Sequence, residues 1–184
     1  MHFTRRDILK LSGAPIGFAL LSIPGCSSPP RAYRFFSEEE ARTVIAICEQ
    51  IIPADEDPGV TDAGVIHFID KQLVSYYAGN QEMYRNGIAT LNHSCMTLHK
   101  KRFESLDFSE QEAFLKQLQR GKIDKNTWGD IPQIEFFNML VSHTMQGFYG
   151  SPVHGGNKDY VSYTMLDFEY PLVIGQNRYQ GKTS

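Results

Sequence analysis

The chain has 184 residues, with 18 Lys and Arg against 21 Asp and Glu, a formal net charge of −3, 41% hydrophobic and 21% charged residues. That balance is globular rather than disordered, and the length suits one domain whose core stands without disulfide staples. It argues against nucleic acid as a partner, which needs dense Lys and Arg to neutralise phosphates, and no apolar run of about 18 residues exists to build a multi-pass membrane protein.

Thr4-Arg5-Arg6-Asp7-Ile8-Leu9-Lys10 opens the chain and leads into a mildly apolar run from Leu11 to Ile23, interrupted by Gly13, Pro15 and Gly17. The run is too short and too broken to span a membrane. The pattern resembles a twin-arginine (Tat) export signal, in which Arg5 and Arg6 are the recognised pair. Ile23-Pro24-Gly25-Cys26 resembles a lipobox, so Cys26 is the candidate lipidation site. Residues 1–25 therefore read as an address, 26–34 as a Ser/Pro tether and 35–184 as one domain. Tat moves folded proteins, often ones that first load a cofactor or a partner. Nothing later in the sequence looks like a cofactor site, which points to a companion chain that holds one.

Ser37-Glu38-Glu39-Glu40 reads as a capping box that opens a helix over 38–52, stopped by Pro53. Val65, Ile66, Phe68, Ile69, Leu73 and Tyr76 predict a second helix over 62–77 with a broad apolar face. Gly79-Asn80 breaks it. A third helix is expected over 81–104, burying Met83, Tyr84, Ile88, Leu91, Cys95, Leu98 and Phe103. Ser109 and Glu112 suggest a second capping box, for a helix ending at Gly121. Pro132 fits the first turn of a last helix that carries Phe136, Phe137, Leu140 and Val141 to about Met145. The expected fold is all-α: a compact bundle of about five helices with a long irregular C-terminal segment over 147–184. That segment is rich in rings, which either wrap onto the bundle or dock on another chain.

Candidate chemistry is sparse. Asp55-Glu56-Asp57 lacks the spacing of a Ca²⁺ loop and reads as a solvated acidic turn. His67, His93, His99, His143 and His154 form no metal signature, and His93 and Cys95 fall on different helix faces. Cys48 and Cys95 are a candidate disulfide after export, with buried free thiols as the alternative. No nucleophile elbow, phosphate-binding loop or dinucleotide fingerprint occurs. Catalytic, cofactor-binding and metal residues are therefore expected to be none.

A set of short segments carries a family resemblance. They are Ile51-Ile52-Pro53-Ala54-Asp55, Ala63-Gly64-Val65, Phe68-Ile69-Asp70, Tyr84-Arg85-x-Gly87 and the run from His143 through Gly147-Phe148-Tyr149-Gly150-Ser151-Pro152-Val153-His154-Gly155-Gly156-Asn157. Over about 35–168 the chain resembles the gluconate 2-dehydrogenase subunit 3 family, departing from its pattern at Tyr163 and Asp167. The resemblance implies a non-catalytic small subunit of a periplasmic, membrane-associated dehydrogenase. Its partner would be a large FAD-binding subunit of the GMC type, with haem c in a third, cytochrome subunit. The small subunit would escort the flavoprotein through Tat export. Phe148, Tyr149, Pro152, Gly155, Gly156 and Asn157 are then the expected partner contacts. A competing reading is an independent exported lipoprotein that binds a small ligand or a metal.

Overall fold

A computed structural model describes residues 32–168. Arg5, Arg6 and Cys26 lie outside the described residues, as do positions 169–184. The described chain is all-α, with no strand. Its helices are α1 (Glu38–Ile51), α2 (Val65–Leu73), α3 (Gln81–His99), α4 (Phe108–Gln119), α5 (Lys125–Trp128), α6 (Gln133–Tyr149) and α7 (Val161–Met165). The five expected helices are α1, α2, α3, α4 and α6. None of the described helices is long and apolar enough to cross a membrane.

α6 is the central element and packs on α1, α2, α3, α4 and α7. Its Phe136 and Leu140 are fully buried, beside Ile47 of α1, Ile69 of α2 and Leu91 of α3 in one hydrophobic core. α3 crosses α6 at Gly87. A Cβ there would lie 2.3 Å from Phe136 Cε2, so only glycine lets the ring lie against the helix backbone. The lower helix propensity of a mid-helix glycine, about 1 kcal/mol, is outweighed by that ring contact.

Most helix ends follow local chemistry. The Ser37 box forms in both directions: Glu40 N–H donates to Ser37 Oγ at 3.2 Å, and Ser37 N–H donates to Glu40 Oε2 at 2.8 Å. Several expected boundaries move. α2 begins at Val65 because the chain first turns through Gly64, whose φ of +63° is left-handed. It ends at Leu73, since the N–H groups of Ser75 and Tyr77 both turn back onto Gln72 O. Tyr76 thereby leaves the apolar face and is 85% exposed. α3 stops at His99 where Lys100 turns left-handed, which leaves Leu98 55% exposed, while Phe103 reaches the core from a separate 3₁₀ turn.

The second capping box belongs to Asp107, not Ser109. Asp107 Oδ1 accepts the Glu110 N–H at 2.8 Å, Glu110 returns the bond to Asp107 N–H, and Ser109 Oγ donates to the same carboxylate. Pro132 sits one residue earlier than expected, at the N-cap, and α6 runs on to Tyr149. The short α5 was not expected. Asp124 caps it and it exists to deliver Trp128, buried with its indole N–H on Ile131 O at 2.8 Å. Up to Phe168 the C-terminal segment is less irregular than expected, with 3₁₀ turns over Pro152–His154 and Lys158–Tyr160 ahead of α7.

The entry to the domain is held by one buried carboxylate. Asp70, on α2, is 4% exposed and accepts three consecutive backbone N–H groups: Arg34 at 2.7 Å, Phe35 at 2.9 Å and Phe36 at 3.1 Å. Arg85 clasps the same strap from outside. Its guanidinium donates to Phe35 O at 3.1 Å, pairs with Glu40 at 2.8 Å and lies 4.4 Å from the centre of the Phe35 ring. Asp70→Ala would leave three amides without an acceptor. It is expected to lower unfolding stability by about 2–4 kcal/mol in urea titrations and to open the bond after Arg34 to trypsin.

Candidate functional site

The C-terminal half of α6 and the segment behind it form a clasp. Gly147 faces α2 so closely that a Cβ would lie 3.0 Å from Val65 Cγ1 and Phe68 Cδ1. The chain then turns at Gly150 and returns with Gly156 against the same helix. A Cβ on Gly156 would stand 2.1 Å from Gly147 O, a distance that no side chain survives. Asn157 closes the loop with its whole polar inventory. Its backbone N–H donates to Gly147 O, its Nδ2 donates to Gly150 O, and its Oδ1 accepts the Ser162 N–H, each at 2.9 Å. Lys158 N–H then reaches Ala63 O at 3.0 Å, tying the segment to the turn before α2.

The expected partner contacts divide by their burial within this chain. Phe148, Gly156 and Asn157 are buried in the chain's own core, where they pin the C-terminal segment onto the bundle. Tyr149 is 38% exposed, and Pro152 and Gly155 are half-buried, so these three remain on the surface. Gly155 has a φ of +106°, which suits glycine alone. Val153 beside them is 71% exposed, with its carbonyl capped by Lys71 Nζ at 2.9 Å.

The same helix carries a polar cluster, buried at His143 and Tyr84, that sequence reading did not find. His143 of α6 is stacked on Tyr77, with ring centres 4.1 Å apart and planes 6° from parallel. Its Nδ1 is 3.0 Å from Tyr84 Oη of α3. Tyr77 is in turn hydrogen-bonded to Gln146. Burial pushes the His143 pKa down to about 4, and burial pushes the Tyr84 phenol well above its usual value. Both groups are therefore neutral at pH 7, and the Tyr84 hydroxyl and His143 Nδ1 share a hydrogen bond between uncharged partners. The Tyr84-Arg85-x-Gly87 signature thus resolves into three contacts: Tyr84 with His143, Arg85 with the entry strap, and Gly87 with Phe136.

The expected disulfide between Cys48 and Cys95 is not formed, and both are free, buried thiols. Cys48 faces α6. Thr144 Oγ1 gives its hydrogen to Leu140 O at 2.7 Å, so the Cys48 thiol is the donor in its 3.1 Å contact with Thr144. Cys95 lies towards Glu104 instead. Burial raises both thiols to about 12, which leaves them protonated and unreactive.

His67, His93 and His154 are exposed, and His99 sits 3.8 Å from Glu110. Asp55, Glu56 and Asp57 are exposed on their loop. Among the described residues, no three His, Cys, Asp or Glu side chains converge as a metal-binding group.

His143 gives a pH signature. In the unfolded chain it takes a proton near pH 6.5, and in the fold only near pH 4. The unfolded state therefore binds more protons between those values. Stability is complete above pH 6.5 and falls as the pH drops towards 4, by on the order of 3 kcal/mol. In urea melts across that range, His143→Gln is expected to flatten this decline relative to the native chain. An unchanged slope would mean that His143 titrates as it does in solution.

No characterised protein and no solved structure matches the chain. One family does: that described as Gluconate 2-dehydrogenase subunit 3, over residues 38–169. The match runs from the first turn of α1 to just past α7, and so takes in the strap clasp at Arg85, the buried His143 cluster and the Asn157 closure. The chain belongs to the gluconate 2-dehydrogenase subunit 3 family and is an accessory subunit of that kind, one chain of a multi-subunit dehydrogenase.

Proposed function

We propose that this chain is the non-catalytic small subunit of a periplasmic, membrane-associated dehydrogenase of the gluconate, sugar or alcohol type. It binds a large FAD-carrying subunit of the GMC class and escorts it through the Tat pathway. The observation that carries the reading is the joint presence of family membership and the Thr4-Arg5-Arg6 signal on one chain. A signal that serves folded cargo has a purpose on a chain whose companion must load FAD before export. FAD then resides in the large subunit, and a cytochrome subunit with haem c receives the electrons. The complex meets the membrane through its other subunits or through lipid on Cys26.

The surface supports association. Tyr76 at the end of α2, Tyr149 at the end of α6 and Val153 just beyond it are large apolar side chains open to solvent. Tyr76 packs edge-on against Tyr77 at 5.2 Å, which holds it in place without covering it. Ordered aromatic side chains of this kind lose little entropy on docking and are enriched among interface anchors.

Replacing Arg5 and Arg6 together by Lys is expected to strand both this chain and the flavoprotein in the cytoplasm, read by fractionation and by flavin content of the periplasm. Normal export of the flavoprotein in that strain would sink the escort role. Tyr149→Ala is expected to weaken co-purification of the flavoprotein by about 1–3 kcal/mol, with little change in the melting temperature of the small subunit. The reverse outcome, intact co-purification and a lower melting temperature, would confine Tyr149 to the chain's own packing.

A further inference from the structure

A row of rings leads from the surface into the core. Tyr76, 85% exposed, packs edge-on against Tyr77 at 5.2 Å. Tyr77 stacks on His143 at 4.1 Å, and His143 stacks on Tyr84 at 5.8 Å with planes 13° from parallel. The row passes from the turn after α2 to α6 and then to α3, and Tyr84 at its inner end is fully buried. Beyond Tyr84 stands Phe36 at 5.7 Å, a ring that resists oxidation and so ends the row.

The inner end differs from the outer in where a proton can go. A phenol gives up an electron readily only when its hydroxyl proton leaves with it, and that needs a base within hydrogen-bond reach. Tyr84 Oη has one, His143 Nδ1 at 3.0 Å, and among the described residues it makes no other hydrogen bond. A buried hydroxyl needs an acceptor, so Nδ1 holds the lone pair and the phenol the proton. Tyr77 is bonded instead to the Gln146 side-chain carbonyl, which is not a base. The buried Cys48 thiol faces the Thr144 hydroxyl and the Trp128 indole N–H faces Ile131 O, and neither acceptor takes up a proton. Burial disfavours a charged His143, but an oxidised phenol is a far stronger acid than an imidazolium with a pKa of about 4, so the transfer still runs downhill.

We infer that Tyr84 and His143 form a redox-active pair, a sink for oxidising equivalents that strike the exposed ring of Tyr76. An oxygen-centred radical takes the hydrogen atom from Tyr76 Oη: that O–H bond breaks and a new O–H bond forms on the attacking species. One electron then passes outward from Tyr84 along the row to Tyr76, which takes a proton from solvent and is restored. The Tyr84 O–H bond breaks as its proton bonds to His143 Nδ1, leaving a neutral phenoxyl beside an imidazolium. A one-electron reductant of the ascorbate class at Tyr76 reverses the path: its electron moves inward and the proton returns from Nδ1 to Tyr84 Oη. Held in the core, the phenoxyl cannot couple to a tyrosine of another chain. This role is separate from subunit assembly and does not depend on which large subunit is bound.

Photo-oxidation of the purified full-length chain tests it, with a ruthenium polypyridyl sensitiser and persulfate as the source of a one-electron oxidant. The chain carries ring-difluorinated tyrosine at position 84, which marks a radical there by fluorine splitting in the EPR spectrum of the frozen sample. The expected spectrum is split by fluorine, and the splitting is lost in His143→Gln and in Tyr77→Phe. Tyr84→Phe without the label is expected to raise the yield of intermolecular dityrosine, read by its fluorescence, and Tyr76→Phe in the same chain to remove that increase. Tyr149, whose ring neighbour is Phe148, lies off the row, so Tyr149→Phe is expected to leave the fluorine splitting in place. A spectrum without fluorine splitting in the otherwise native chain would overturn the sink, and that reading needs no variant to fold. Splitting that persists in His143→Gln would overturn His143 as the proton acceptor, and splitting that persists in Tyr77→Phe would overturn the row as the route.

Discussion

Asn157 is the residue on which the rest of the C-terminal architecture hangs. Its amide donates to Gly147 O, its side chain spans from Gly150 O to the Ser162 N–H, and its backbone is left-handed. An αL residue costs least when it is Gly or Asn, and of these only Asn also has a side chain that can bridge two stretches of main chain. Gly156 is the other half of the device, because any Cβ there would collide with Gly147 O. Together they bring the chain back along α6 and start α7.

The interior follows the same economy of polar contacts. Asp70 is buried because three strap amides surround it, and the strap is ordered because Asp70 accepts them. His143 is buried neutral between Tyr77 and Tyr84. Buried polar groups of this kind add little net stability but fix a unique arrangement, since any other packing would leave them unpaired. Burial keeps both thiols protonated and the central histidine uncharged at neutral pH. The exposed ring of Tyr149 and the carboxylates of the loop that ends at Asp62 lie outside.

Much of the fold was legible from local rules. The Ser37 capping box, the Pro53 stop, the apolar stripes of α1 and α6 and the glycine beyond α4 each depend on neighbours within a few positions. The errors have equally local causes. Asp107 and Ser109 both lie near the start of α4, and the carboxylate of Asp107 takes both the Glu110 amide and the Ser109 hydroxyl, so it wins the cap. Tyr76 matches the apolar period of α2 but falls beyond the turn of chain onto Gln72 O, and so points to solvent. α5 is too short for periodicity to reveal, and what justifies it is the burial of Trp128.

The site divides along the same line. Sequence alone determined the all-α class and, through its spaced motifs, the family, because helix periodicity, caps and signature residues are written in consecutive positions. It also singled out the Gly155-Gly156-Asn157 turn. Only the tertiary structure decided that Gly156 and Asn157 of this turn face inward while Gly155 stays at the surface, that His143 lies between Tyr77 and Tyr84, and that Cys48 and Cys95 stay unbonded. Those outcomes depend on which helices become neighbours across 50 to 100 positions of chain, such as Cys48 with Thr144 and Tyr84 with His143. Close packing sets those pairings, and it acts between surfaces rather than along the chain.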